Sequence, residues 1–370
     1  MHIRTVQTKK DLADFIELPY RLYRRDPVWV PPLRSDQWNQ FDPKRNPMLD
    51  HCEYVLFLLQ DGPDVVGRIS AFVDHLAVQW WKERIGLFGS FECIEDDTAA
   101  QRLLSTAQDW LSAKGMKAMR GPWSFASQEW GLVVEGFTPS PVIMAPYNPP
   151  RYNDYLLHFG LSKVKDLVVY YVDTREGYKI PERYLRLTTQ VQNKLKVKVR
   201  TVDMRNFEKE VSTFVELANQ SIANNWGFYP VTEEEGKAIA RDMKPVIDPK
   251  LVLFAEDAQG KAIGFAIALP DVNTLLKGLD GRLFPFGWLK LLLGLPRLRQ
   301  FRMWALGVVP EYQGKAVDAL MYRKLYEILA TRDVRLEVNY ILEDNYPMNN
   351  ALKNLGVKNL RRYRVYQKPI

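Results

Sequence analysis

At 370 residues, 46% hydrophobic and 26% charged, the chain is long enough for two cores of ordinary domain size and too apolar to stay disordered. Its two cysteines, Cys52 and Cys93, form no CxxC. Its four histidines, His2, His51, His75 and His158, stand at no ligand spacing, so a disulfide framework or metal site is not expected and a reducing cytoplasm is. The excess of 51 Lys and Arg over 44 Asp and Glu, +7 in all, suits an anionic ligand, a nucleic acid or an anionic membrane face.

In chain order, Met1-His2-Ile3 soon turns polar and does not read as a signal peptide, and no apolar run reaches membrane-spanning length. Helical spacing predicts a helix over 9–22, after which Asp26-Pro27-Val28-Trp29-Val30-Pro31-Pro32 and Phe41-Asp42-Pro43-Lys44 break any long element. Apolar runs over 54–59 and 65–73 flank Asp61-Gly62-Pro63-Asp64, a hairpin pattern. A strand over 85–91 and a helix over 98–114, stopped by Gly115, come next. Arg120-Gly121-Pro122-Trp123 opens a stretch of turns and short strands. Tyr147-Asn148-Pro149-Pro150 leads into a short helix, and 167–172 forms a closing strand.

After a linker at 173–181 the order repeats: a strand over 197–202, a helix over 207–222, and a hairpin over 251–256 and 262–269. A strand from Trp304 to Val309 then meets Pro310, and helical spacing resumes from Val317. Strand 335–340, helix 347–355 and a last strand at 363–366 finish the chain. Val66-Gly67 answers Ile263-Gly264, Asn148-x-Pro150 answers Asn345-x-Pro347, and Phe159-Gly160-Leu161 answers Leu355-Gly356-Val357. Matched order and matched turns predict two tandem α+β domains, 1–175 and 176–370, each a mixed, mostly antiparallel sheet flanked by helices.

Between the strand at 304–309 and its helix, Gln313-Gly314-Lys315 leaves backbone N–H groups at the positive end of the helix dipole, an anion seat suited to phosphate. The corresponding turn of the first copy carries Glu95, Asp96 and Asp97, which serve a helix amino terminus without any anion. The basic clusters at 194–200 and 353–364 resemble no nucleic-acid module and read as solvated faces, so no nucleic-acid partner is expected.

The order of hairpin, strand, Gln-x-x-small turn, helix, strand, Asn-led helix, Leu-Gly-Val and final strand resembles the GNAT superfamily of acyl-CoA-dependent N-acyltransferases. The likeness is strongest over 195–368. Leu18-Pro19-Tyr20-Arg21-Leu22-Tyr23, Tyr147-Asn148-Pro149-Pro150 and Asn224-Asn225-Trp226-Gly227-Phe228 are similar to a bacterial group of tandem GNAT-like proteins, with the first copy degenerate.

The resemblance implies an acyl group carried from acetyl-CoA or a longer acyl-CoA to an amine, with no metal. The alternative is a non-catalytic acyl-CoA or lipid-binding protein on the same scaffold. It assigns the pantetheine and carbonyl contacts to the strand bearing Leu306 and Val308, and the pyrophosphate to Gln313, Gly314, Lys315 and Ala316. Ala316 stands where the superfamily has glycine, and Asp318 sets a carboxylate in the first helical turn, against a phosphate. Where a proton-donating tyrosine often stands, one helical turn before Gly356, this chain has Leu352. Tyr340 and Tyr346 are the expected substitutes, Glu337 the expected base with Glu343 and Asp344 following it, and Asn345 a further catalytic candidate that also suits a helix cap. Asn225, Trp226 and Tyr229 match the acceptor-binding stretch.

One segment, Leu283 to Pro296, is very apolar and is followed by Arg297, Arg299 and Arg302. It reads first as a buried helix and second as an amphipathic element in peripheral contact with a membrane over 283–302. The second reading favours a lipid amine, such as a sphingoid base, over a small-molecule acceptor.

Overall fold

Caps and hydrophobic alternation place most element boundaries in the computed structural model, which describes residues 1–125 and 130–370; part of the turn-rich stretch after Trp123 lies outside the described residues. The first half runs β1 (His2–Thr5), α1 (Lys9–Leu22), α2 (Arg34–Gln40), β2 (Cys52–Asp61), β3 (Asp64–Asp74), α3 (His75–Trp81), β4 (Ile85–Cys93), α4 (Asp97–Ala113), β5 (Ala118–Gly121), β6 (Leu132–Glu135), α5 (Arg151–His158) and β7 (Ser162–Asp173). The second runs α6 (Glu182–Leu195), β8 (Lys198–Thr201), α7 (Phe207–Ser221), α8 (Glu233–Met243), β9 (Val252–Glu256), β10 (Ala262–Pro270), α9 (Asn273–Leu276), α10 (Gly287–Gly294), β11 (Gln300–Val308), α11 (Val317–Leu329), β12 (Arg335–Leu342), α12 (Tyr346–Asn354) and β13 (Lys358–Pro369). Reciprocal capping boxes start α1, through Thr8 and Asp11, and α8, through Thr232 and Glu235.

These elements form two compact units, and neither is a continuous run of chain. The first comprises Met1–Leu167, Asn273–Leu289 and Arg361–Ile370. Its sheet runs β1-β2-β3-β4-β5-β13, with β4 and β5 parallel and β13 antiparallel to β5, Tyr366 opposite Gly121. Leu103, Leu104, Ala107 and Leu111 seat α4 on this sheet. The fit is close enough that a Cβ at Gly86 would come within 2.4 Å of Leu111.

The second unit comprises Val168–Val272 and Lys290–Leu360. Its sheet runs β12-β11-β10-β9-β8, antiparallel except for the parallel pair β11 and β12. The end of β7 belongs here: Thr174 N–H donates to the Val334 carbonyl at 2.9 Å, and the Tyr170 hydroxyl to Asn349 Oδ1 at 2.8 Å. One face of the sheet is covered by α7, with Phe214 edge-on to Phe265. The other is covered by α11, whose Met321 lies against Gly264.

One helix was not anticipated and one expectation fails. Past the linker the chain forms α6, whose polar composition hid it; Thr189 accepts from Arg323 of α11 at 2.7 Å. The 283–296 segment is not a buried helix: only its 287–294 core is α-helical, as α10, and Phe284, Phe286, Leu292 and Leu293 stand exposed.

Candidate active site

The register of β11 and β12 runs from Gln300 opposite Arg335 to Met303 opposite Val338. Beyond that pair the strands part, although β11 continues to Val308 and β12 to Leu342. The backbone edge of Trp304 to Val308 that faces the opening is therefore available to another chain of amides and carbonyls. Its other edge is engaged with β10, Leu306 opposite Ala266 and Val308 opposite Gly264.

At the head of this opening the chain turns into α11. Gln313 braces the turn, its Nε2 donating to the Val308 carbonyl at 2.9 Å and the Ser221 carbonyl at 3.2 Å. Gly314 and Ala316 have φ of 71° and 60°, which curls the loop. Ala316 stands at the N-cap and supplies no side-chain cap. The first turn of α11 thus keeps its dipole end for an outside anion, with the exposed Lys315 beside it. Left-handed backbone at an alanine costs about 1 kcal/mol, a strain that the loop geometry sustains.

Asp318 sits on a stripe with Tyr322 and Tyr326 that faces Tyr184 of α6 and Tyr178 just before it, the latter edge-on to Tyr326. Burial is the largest influence on its carboxyl and raises its pKa, against the pull of the Ala319 and Asp318 amides. Burial likewise pushes the neighbouring Tyr184 and Tyr322 hydroxyls well up. The charge that the sequence sets against a phosphate is thereby drawn toward its neutral form.

Glu337 is fully buried at the closed end of the gap, opposite the equally buried Arg302. Arg335 lies 3.5 Å from its Oε1. The Arg302 guanidinium is 5.1 Å from the centre of the Tyr340 ring. Glu337, Arg302 and Tyr340 therefore form one group at the root of the opening, and Asn339 is buried between. Asn345 is a cap: its Oδ1 accepts from the Met348 N–H at 3.2 Å. Leu352 is buried core.

The loop bearing Asn225, Trp226 and Tyr229 follows α7 directly, and the Ser221 contact of Gln313 brings its root beside the 313–316 turn. Asn219 clamps the far end of the loop through both atoms of Val231, at 2.9 and 3.0 Å. Within it Asn225 is exposed, Trp226 half-buried and Tyr229 buried. Sequence reasoning missed an apolar cavity of about 70 Å³ on the α7 face, walled by Phe207, Val211, Phe214, Ile239, Met243 and Trp304. Trp304, the first β11 residue past the last β12 pair, is the link between cavity and opening. The apolar spacing of α7 and α8 was legible, but the gap beneath them was not.

In the first unit the β4–β5 ladder ends at Leu87 opposite Arg120, but the chain stays paired beyond it, the Trp123 N–H donating to the Phe88 carbonyl at 2.8 Å. There Asp96 caps α4 itself, accepting from the Ala99 N–H at 3.0 Å. The neighbouring Glu92 is held by the hydroxyls of Tyr23 and Tyr152, and burial raises its pKa. His51, Cys52 and Asp74 also converge in this unit, with His51 Nδ1 2.9 Å from Asp74 Oδ1. That carboxylate caps α3 through Ala77.

No protein-family model matches the chain. A tandem GNAT protein of the clavulanic acid biosynthesis pathway shares its fold, with a TM-score of 0.59 at 12% identity over 100% of this chain and 98% of the other. A GCN5-related N-acetyltransferase from Sphaerobacter thermophilus gives 0.54 at 12% identity, over 100% and 95%. In sequence, the bacterial ceramide synthase of Caulobacter vibrioides is 35% identical over 378 residues, 99% of this chain and 96% of the relative. The chain belongs to the GNAT superfamily. Protein YghO of Escherichia coli is a further relative, 33% identical over 376 residues, 100% of this chain and 95% of that one.

This GNAT protein is an N-acyltransferase of the tandem-domain type, an enzyme class whose members generally use acyl-CoA and act on amines. The residues at the opening fit that donor: an uncapped helix end and Lys315 for the phosphates, and a free strand edge for the pantetheine amides. Among the described residues no helix is long and apolar enough to cross a membrane.

Proposed function

We propose that this GNAT protein forms an amide between a long-chain acyl group from acyl-CoA and the primary amine of a long-chain lipid base. The observation that carries this reading is the cavity of about 70 Å³, walled almost entirely by apolar side chains, beside Trp304 at the root of the β11–β12 opening. An acetyl donor and a small polar amine need no such wall, whereas an alkyl chain gains by leaving water. The name of the Caulobacter relative, bacterial ceramide synthase, supports the same substrate class.

In this reading Gly314, Lys315, Ala316 and the first amides of α11 hold the diphosphate, with Gln313 bracing the turn. The β11 edge at Leu306 and Val308 orients the thioester, which supplies the acyl carbon. Glu337 takes a proton from the acceptor ammonium, the freed amine forms the C–N bond, and the C–S bond breaks. The Tyr340 hydroxyl gives its proton to the departing thiolate and takes back the second proton that the amide nitrogen sheds, while the proton on Glu337 passes to solvent. Arg302 and Arg335 keep Glu337 in place, and Asn345 acts by position, holding α12. Asn225, Trp226 and Tyr229 wall the acceptor's polar end. A lipid-borne acceptor is met at a bilayer surface, and residues 283–302 are the segment that would touch it.

Mass spectrometry of reactions containing palmitoyl-CoA or acetyl-CoA, with a long-chain amino-diol or a short soluble amine, tests the reading. The amide of the two long chains is the expected main product. Ala240→Phe, which fills the cavity, should shift the preference toward shorter chains by roughly tenfold, the value of one or two buried methylenes. Equal turnover of acetyl-CoA with the soluble amine would sink the long-chain assignment.

A further inference from the structure

Six of the eleven exposed large apolar side chains among the described residues fall within Phe284 to Leu293. Phe284 is 82% exposed, Phe286 75%, Leu292 61%, Leu293 58% and Trp288 46%, with Leu289 beside them. Scattered exposed leucines need no explanation, but a cluster of this size on one short helix and the turn before it does. The segment is not loosely held. The Arg34 N–H donates to the Gly281 carbonyl at 2.9 Å, and a Cβ at Gly281 would meet the Pro32 carbonyl at 2.4 Å, so the base is seated against the Pro31-Pro32 turn. Trp288 Nε1 donates to the Pro285 carbonyl at 2.9 Å, so the indole can enter an apolar phase without stranding a donor.

Charge identifies the occupant. From Gly281 to Pro310 the chain carries Arg282, Lys290, Arg297, Arg299 and Arg302 and no carboxylate. All but Arg302 are exposed. The nearest preceding acid, Asp280, is already engaged by Arg34 at 3.2 Å. A second copy meeting this patch about a two-fold axis would bring like charges together, which opposes self-association. An anionic bilayer accepts both parts, the aromatics and leucines in its acyl region and the cations at its headgroups.

We propose that the α10 segment is a membrane-docking element that inserts Phe284, Phe286, Trp288, Leu292 and Leu293 into an anionic leaflet, with Arg282, Lys290, Arg297 and Arg299 on its phosphates. This deepens the bilayer contact of the proposed function by naming the inserted side chains and an anionic leaflet, and it does not depend on the amide-forming reaction.

Flotation of the full-length protein with vesicles of phosphatidylcholine alone, or with a quarter of the lipid replaced by phosphatidylglycerol, tests the docking. Binding is expected to the mixed vesicles and to be much weaker to the neutral ones. The Arg297→Gln, Arg299→Gln variant should lose about fivefold in partitioning per cation removed, on mixed vesicles only. The Phe284→Ser, Phe286→Ser, Leu292→Ser, Leu293→Ser variant should lose binding to both. These side chains are exposed, so its thermal midpoint should match that of the native protein. A folded variant that still floats with mixed vesicles overturns the proposal, as does a native protein that does not bind them. Sedimentation showing a native dimer that the serine variant dissolves would mean that a second copy covers the patch instead. Turnover in detergent micelles separates this from the reaction: the serine variant should keep micellar turnover, and an inactive protein that still binds mixed vesicles would leave docking standing.

Discussion

The two copies solve the same local problem in opposite ways. Each has a parallel strand pair, β4 with β5 and β11 with β12, of which the second opens past its last pair while the first stays paired through the Trp123 N–H and the Phe88 carbonyl, and each follows its central strand with a helix whose first amides lack intrahelical partners. In the first unit the chain satisfies them itself, through Asp96 on α4, with Glu92 locked between Tyr23 and Tyr152 nearby. In the second, Ala316 caps nothing and the turn is held open by Gln313. A helix end that satisfies itself adds stability, and one left unsatisfied can bind an anion.

The largest effect should come from the buried carboxylates. Glu337→Ala removes the buried carboxylate that Arg335 meets at 3.5 Å, beside the buried Arg302, and should cost about 3–5 kcal/mol in denaturant titrations. Glu337→Gln should lower kcat by about a hundredfold or more. Glu92→Gln should leave kcat unchanged and alter only the thermal midpoint. Loss of turnover in Glu92→Gln would move the chemistry to the first unit and break the comparison.

Next come the caps. Ala316→Asp supplies the second helix with its own carboxylate, and CoA binding by calorimetry should weaken by about thirtyfold. The mirror change, Asp96→Ala, should cost about 1 kcal/mol of stability and leave CoA affinity alone. Lys315→Ala, which removes one exposed cation, should weaken CoA by only about three- to fivefold, and less at high salt.

The smallest effect concerns Asp318. Its folded pKa lies above the ordinary 3.8, so the folded chain holds this proton more tightly than the unfolded chain does. Whatever stability that adds is present in full below 3.8 and is lost as pH rises through the folded value. Asp318→Asn should therefore melt slightly higher than the native protein at neutral pH, and the difference should shrink in acid. A lower midpoint for Asp318→Asn at neutral pH would mean that the carboxylate is instead stabilised by the helix end.

The short-range features of this protein were legible in its residues. Thr8 with Asp11 and Thr232 with Glu235 announce two helix starts, Asp61-Gly62 announces a hairpin, and the repeated Asn-x-Pro and Gly turns announce two copies of one α+β fold, because each depends on neighbours a few positions away. The turn at 313–316 between strand and helix was legible for the same reason. Packing and partnership were not. That β13 completes the first unit, that the end of β7 lies in the second, that Arg302 faces Glu337 and that Asp318 turns toward α6 rest on contacts between residues far apart in sequence. The 283–296 segment shows the limit most directly. Its apolar composition fits a core helix and a membrane-facing one equally, and the choice fell to whether the surrounding fold offered it a partner surface.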